Sequence, residues 1–206
     1  DLMVAHRLEP EIYNFRSLAF FSKAVERVGE ESYPIHIKLD TGMHRLGFME
    51  GELDMLTETL GETPSVKVAT IFSHLNCSDM PQEDRYTREQ IARFDRMSGR
   101  LAAALPYPVL RHTANSAAIE RFPEAQFDMC RLGLGLYGFG FEHNDELKPV
   151  STLKSRIVQL KHLSAGEAVG YGRAGKLTRD SVTATVPMGY ADGLDRHLGC
   201  GRWSML

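Results

Sequence analysis

The chain has 206 residues, 43% of them hydrophobic and 25% charged, with a net charge of −3; these are ordinary globular values, with length enough for a sizeable core. The negative balance argues against nucleic-acid or anionic-membrane partners, which favour a basic surface, and no apolar stretch nears the roughly 20 residues that span a bilayer. Cys77, Cys130 and Cys200 are widely spaced with no Cys-x-x-Cys pair, so neither a disulfide framework nor a metal site is expected and a reducing, cytoplasmic setting fits.

In chain order, DLMVAHRLEPEIYNF (1–15) lacks the charged-then-apolar layout of a secretory signal. PIHIKLD (34–40) sets Ile35, Ile37 and Leu39 against His36, Lys38 and Asp40, and that period of two predicts a strand. Leu53, Leu56 and Leu60 lie at helical spacing within 50–61. VKVATIFSHL (66–75), rich in β-branched residues, predicts the next strand. A long helix follows over 83–104, with Ile91, Phe94, Met97, Leu101 and Leu105 in one stripe and Pro106 ending it. PVLRHTA (108–114) predicts a strand, 116–122 a short helix stopped by Pro123, and the apolar run FDMCRLGLGLYGF (127–139) a closing strand.

Strands and helices alternating every 35–40 residues predict an α/β fold with parallel strands, either an open doubly wound sheet or a (β/α)8 barrel. The polar residues favour the barrel. Lys38 and Asp40, His74 and Asn76, and His112, Asn115 and Ser116 all fall at or beyond carboxyl ends of strands, where barrels place their active sites. Residues 1–141 therefore read as the second half of a TIM barrel. The pattern changes after Gly140: EHNDELKPVS (142–151) is polar and aperiodic, and β-rich segments separated by glycines follow. Residues 142–206 read as the start of an all-β domain.

Each candidate site residue also has a plain packing reading. Lys38 precedes an Asp-Thr-Gly turn that carries Arg45, and a strand-end lysine is often merely solvated. An aspartic-protease reading of Asp-Thr-Gly needs a second such carboxylate to share the proton, and no second copy occurs. His74 ends an apolar strand, where a histidine is often a satisfied core group. Asn115 and Ser116 open a helix, as caps or as anion donors. Gly133, Gly135 and Gly138 do not open a helix as a dinucleotide fingerprint does, but they let backbone approach something closely. Arg131 inside that run is costly unless paired. Tyr190 lies in a glycine-rich turn, where tyrosines usually pack.

Together, KLDTGMHRLGF (38–48), SHLNCSD (73–79), HTANSAA (112–118), RLGLGLYG (131–138) and VPMGYADG (186–193) resemble the alanine racemase family of pyridoxal-phosphate enzymes in order and spacing. LEPEIYNFRSL (8–18) resembles the strand and helix that precede the lysine motif there. The resemblance implies a pyridoxal 5'-phosphate cofactor in the barrel, alanine as substrate, D-alanine supplied for peptidoglycan, and a homodimer. Tyr190 matches a tyrosine that serves the partner's site as acid and base at the substrate Cα. His74 and Arg131 match its supporting network, with Arg131 facing the pyridine nitrogen. Asn115, Ser116, Gly133 and Leu134 fall in the cofactor-binding segments, the last three at phosphate positions. Arg45 matches an arginine on the cofactor's phenolic oxygen and the substrate carboxylate, and Lys38 a lysine carbamylated in many members, where it orients that arginine. The family's second base, a lysine in a V-K-A-N-A-Y-G-H-G setting, has no counterpart among these lysines, so the 206 residues alone are expected to be inactive. The alternatives are a non-catalytic cofactor-binding module and a racemase for another small amino acid such as serine.

Overall fold

The computed structural model describes residues 1–142 and 144–198; Cys200 and the end of the expected β domain lie outside the described residues. The chain divides into two compact units, Asp1–Val150 and Ser151–Leu206.

In the first unit the elements run α1 (Leu2–Ala5), β1 (Glu11–Ile12), α2 (Phe15–Arg27), β2 (Tyr33–Lys38), α3 (Leu53–Gly61), β3 (Val66–Phe72), α4 (Asp84–Ala104), β4 (Leu110–His112) and α5 (Ser116–Arg121). The four strands form one sheet in the order β1-β2-β3-β4, each neighbour pair parallel. A parallel sheet connected by helices, in the order the barrel reading requires, is therefore present. Local chemistry explains where the helices begin. Ser17 N–H donates to Asn14 Oδ1 (2.7 Å) while Asn14 N–H donates to Ser17 Oγ (3.2 Å), a reciprocal cap that starts α2.

Strand alternation sorts the sheet into two faces. Ile35, Ile37, Val68 and Ile71, each no more than 1% exposed, enter a core with Leu53 and Leu56 of α3 and Phe94, Met97 and Leu101 of α4. Cross-strand pairs Glu11–His36, His36–Thr70, Lys38–Phe72 and Phe72–His112 place the polar residues together on the other face.

Three strand expectations need correction. The strands expected over 66–75 and 108–114 shorten to Val66–Phe72 and Leu110–His112; the chain beyond each tip turns into the loops that carry His74 and Asn115. The expected strand at 127–139 does not form. Phe127 has φ +47° and Gly138 φ +87°, and Leu134–Tyr137 is a 3-10 turn, conformations that no strand sustains. The segment keeps only two backbone bonds beside β4, Asp128 N–H to Arg111 O (3.0 Å) and Arg131 N–H to Ala114 O (2.9 Å).

The second unit has β5 (Gln159–Leu163) antiparallel to β8 (Ser181–Thr185), and β6 (Ala168–Val169) antiparallel to β7 (Gly175–Lys176). Among the described residues its helical elements are single 3-10 turns.

Candidate active site

Lys38 is the last residue of β2, is 6% exposed, and donates to Glu11 Oε1 of β1 at 2.8 Å. The loop after it returns to the strand: Phe48 N–H donates to Lys38 O and Asp40 N–H to Phe48 O, both at 2.9 Å. Gly47 makes this return feasible, because its φ is +128° and a Cβ there would lie 2.6 Å from Asp40 N. Asp40 Oδ1 accepts the Gly42 and His44 N–H groups at 3.0 Å each. Burial pushes the Asp40 pKa up, but these bonds and His44 outweigh it and hold the carboxyl below its ordinary range. Tyr86 and Arg93 of α4 donate to Gly42 O (2.8 Å) and Thr41 O (3.1 Å), which fixes the loop that presents the exposed Arg45.

Arg131 is paired rather than isolated. Nη2 donates to Ser73 O (2.6 Å) and Thr113 O (3.3 Å) and approaches His74 Nδ1 (3.3 Å). Nη1 donates to His112 Nδ1 (2.6 Å) and reaches His112 O (3.4 Å). Two strand ends, those of β3 and β4, thus supply its acceptors, which offsets the cost of desolvating the cation. Burial lowers the Arg131 pKa and the Glu11 charge opposes the shift. The Phe72 ring lies beside it: Arg131 Cζ is 5.3 Å and Lys38 Nζ 5.5 Å from the ring centroid, and His112 stacks on the same ring at 5.1 Å.

Both histidines at these tips are held neutral. Burial, then Arg131 and His36, drives the His112 pKa from 6.5 to about 4. The His74 pKa is lowered by burial and then by Arg131, Arg45 and Lys38.

Asn115 caps α5, its Oδ1 accepting from Ala118 N–H (3.0 Å) and Ser78 Oγ (2.8 Å). Ser116 Oγ accepts the N–H groups of Gly133 (2.8 Å) and Gly135 (3.1 Å). A Cβ on Gly135 would lie 3.1 Å from Leu132 Cδ1 and 3.5 Å from Ser116 Oγ, so side chains there would crowd the cradle. His74, Asn115, Ser116, Arg131, Gly133 and Leu134 all border one cavity of about 410 Å³. A hydroxyl and two backbone N–H groups, here bonded to one another, stand beside a half-buried arginine; donors of these kinds suit an anionic, phosphorylated ring.

Tyr190 begins a 3-10 turn of the second unit and is 73% exposed, with the Arg196 guanidinium 5.7 Å from its ring centre. The structure brings Lys38, His74, Asn115, Ser116, Arg131, Gly133 and Leu134 to the carboxyl end of one sheet; Tyr190 belongs to the other unit. Sequence reasoning missed Glu9, Glu11 and Thr70. Reading EI (11–12) as a strand would have set Glu11 on the Lys38 face.

Comparison with known proteins places the chain. Residues 1–140 match the model of the alanine racemase N-terminal domain, and residues 150–206 that of the C-terminal domain. The chain belongs to the alanine racemase family. Alanine racemases of Sorangium cellulosum and Clostridium novyi are 36% and 35% identical to it, matching 95% and 96% of its residues. It spans about half the length of the curated relatives it matches, 52% of each of these two. The solved alanine racemase from Streptomyces coelicolor A3(2) superposes with a TM-score of 0.87 at 28% identity, over 97% of this chain and 54% of that one. The Bartonella henselae alanine racemase with covalently bound pyridoxal phosphate superposes with a TM-score of 0.75 at 26% identity, over 96% of this chain and 54% of that one. Among the described residues, no helix is long and apolar enough to cross a membrane.

Proposed function

We propose that this chain forms the phosphate- and ring-binding part of an alanine racemase that uses pyridoxal 5'-phosphate, acts on alanine and works as a homodimer in the cytoplasm. Residues 1–141 are the second half of its barrel and 142–206 the start of its β domain. The observation that carries this reading is the cavity bordered at once by His74, Asn115, Ser116, Arg131, Gly133 and Leu134.

Ser116 Oγ and the Gly133 and Gly135 N–H groups hold the cofactor's phosphate, with Asn115 fixing the turn that presents them. Arg131, a permanent donor locked to Ser73 O and His112 Nδ1, directs an N–H at the ring nitrogen and keeps a proton off it. When bound, the cofactor supplies an electron sink that makes the substrate α-proton removable. Tyr190 of one subunit takes or returns that proton in the partner's site, where His74 and Arg131 form its supporting network. Arg45 meets the substrate carboxylate. Lys38, the last residue of its strand and bonded to Glu11, stands at the position from which the carbamylated lysine of relatives orients this arginine.

The test is Tyr190→Phe in the complete enzyme. Racemisation falls by a factor on the order of 10²–10⁴, the usual worth of a positioned acid–base group, while the absorbance of the bound cofactor stays. Near wild-type turnover would refute the assigned role.

A further inference from the structure

A continuous series of contacts crosses the polar face of the sheet behind Arg131. His112 Nε2 lies 3.0 Å from Thr70 Oγ1, Thr70 Oγ1 lies 2.8 Å from His36 Nδ1, and His36 Nε2 lies 2.9 Å from Glu9 Oε2. With the 2.6 Å contact of Arg131 Nη1 to His112 Nδ1, a guanidinium on one side of the sheet is joined to a carboxylate on the other. The middle link depends on an irregularity in β3: Ile35 is opposite Val68 but His36 is opposite Thr70, so Ala69 is extra. In an unbroken register the Ala69 methyl would face His36. The bulge puts a hydroxyl there instead, and re-aiming a side chain is what bulges beside functional sites commonly do.

With both imidazoles neutral, the two ends fix the direction of every bond. A guanidinium has only donors and an ionised carboxylate only acceptors. Arg131 therefore donates to His112 Nδ1. The neutral His112 ring then carries its proton on Nε2 and donates to Thr70 Oγ1. The hydroxyl has one proton to give, and directs it at His36 Nδ1. His36 is left with Nε2–H, which donates to Glu9. With both rings neutral, reversing any link sets two donors or two acceptors against each other and leaves a polar group without a partner.

We infer that Glu9, His36 and Thr70 are positioning residues that act through this one-way relay to keep His112 in the Nε2–H tautomer that accepts from Arg131. The effect on turnover rests on the racemase reading; the relay itself does not.

Side-chain ¹⁵N resonances of the histidines in the holoenzyme, assigned from single His→Gln variants, report tautomers directly. In the wild type His36 and His112 both give the Nε2–H pattern. Glu9→Gln, whose amide can also donate, shifts the resonances of both rings. In a Thr70→Val background the same change no longer moves His112, and Thr70→Ser, which keeps the hydroxyl, restores the response. An Nδ1–H tautomer or a doubly protonated ring at either histidine near pH 7.5 overturns the relay. So does a His112 response to Glu9→Gln that is absent in the wild type or unchanged by Thr70→Val. If Thr70→Val does not fold, the tautomers and the Glu9→Gln response decide alone. Activity separates the two readings: Thr70→Val lowers kcat about tenfold with KM little changed if Arg131 serves the racemase as proposed. Intact kcat with the relay detected counts against that role of Arg131, not against the relay.

Discussion

The two faces of the parallel sheet have opposite characters. On one, Ile35, Ile37, Val68 and Ile71 are almost wholly buried under α3 and α4. On the other, Glu11, His36, Lys38, Thr70 and His112 exchange hydrogen bonds with one another and with Arg131. Both faces arise from one alternating pattern, so stability and chemistry are divided along a single strand with a period of two residues. The contrast also explains how a cluster of polar groups is tolerated beside a core. The buried polar side chains of Lys38, Thr70 and His112 on that face each have a partner, and a satisfied network costs little where an unsatisfied one costs much.

The division can be broken from either side. The largest effect is expected from the apolar face: Ile37→Ala removes a fully buried side chain and costs about 2–5 kcal/mol, read from urea denaturation, while turnover per folded molecule is unchanged. From the polar face the opposite split is expected. Arg131→Lys keeps the charge but loses the fork that reaches Ser73 O and His112 Nδ1 together. In the complete enzyme kcat drops by on the order of 10², while the denaturation midpoint falls less than it does for Ile37→Ala. Gly135→Ala is milder: the added methyl presses on Leu132 and Ser116, and cofactor affinity, titrated by fluorescence, weakens about tenfold.

The smallest effect is on pH dependence. His112 has a pKa of about 4 when folded against 6.5 ordinarily, so between those values the unfolded chain binds more protons and stability falls as pH is lowered. His74 is shifted the same way. Asp40, lowered from 3.8, contributes stability above that value and loses it as pH falls further. Urea midpoints measured from pH 7 to pH 3 decline from about 6.5 downward, and His112→Gln flattens the first part of that decline.

Much of this was legible in the sequence, for definite reasons. The helices at 53–61 and 84–104 and the core of β2 follow from periodicity, and the strand-tip positions of Lys38, His74 and Ser116 follow from where those periods end. What escaped depends on contacts between distant segments. Glu11 sits in a two-residue strand, too short for alternation to register, and its role comes from Lys38, 27 residues later. The bulge that brings Thr70 to His36 exists only in the pairing of two strands. The run 127–139 is apolar enough for a strand, but its glycines and the positive φ of Phe127 bend it into the cradle for Ser116.

The most direct test is a crystal structure of the complete protein with pyridoxal 5'-phosphate bound. The account predicts phosphate oxygens within hydrogen-bond distance of Ser116 Oγ and the Gly133 and Gly135 N–H groups, and an Arg131 N–H on the ring nitrogen. A phosphate lodged away from that cradle, or a ring nitrogen facing a carboxylate instead of Arg131, would contradict it.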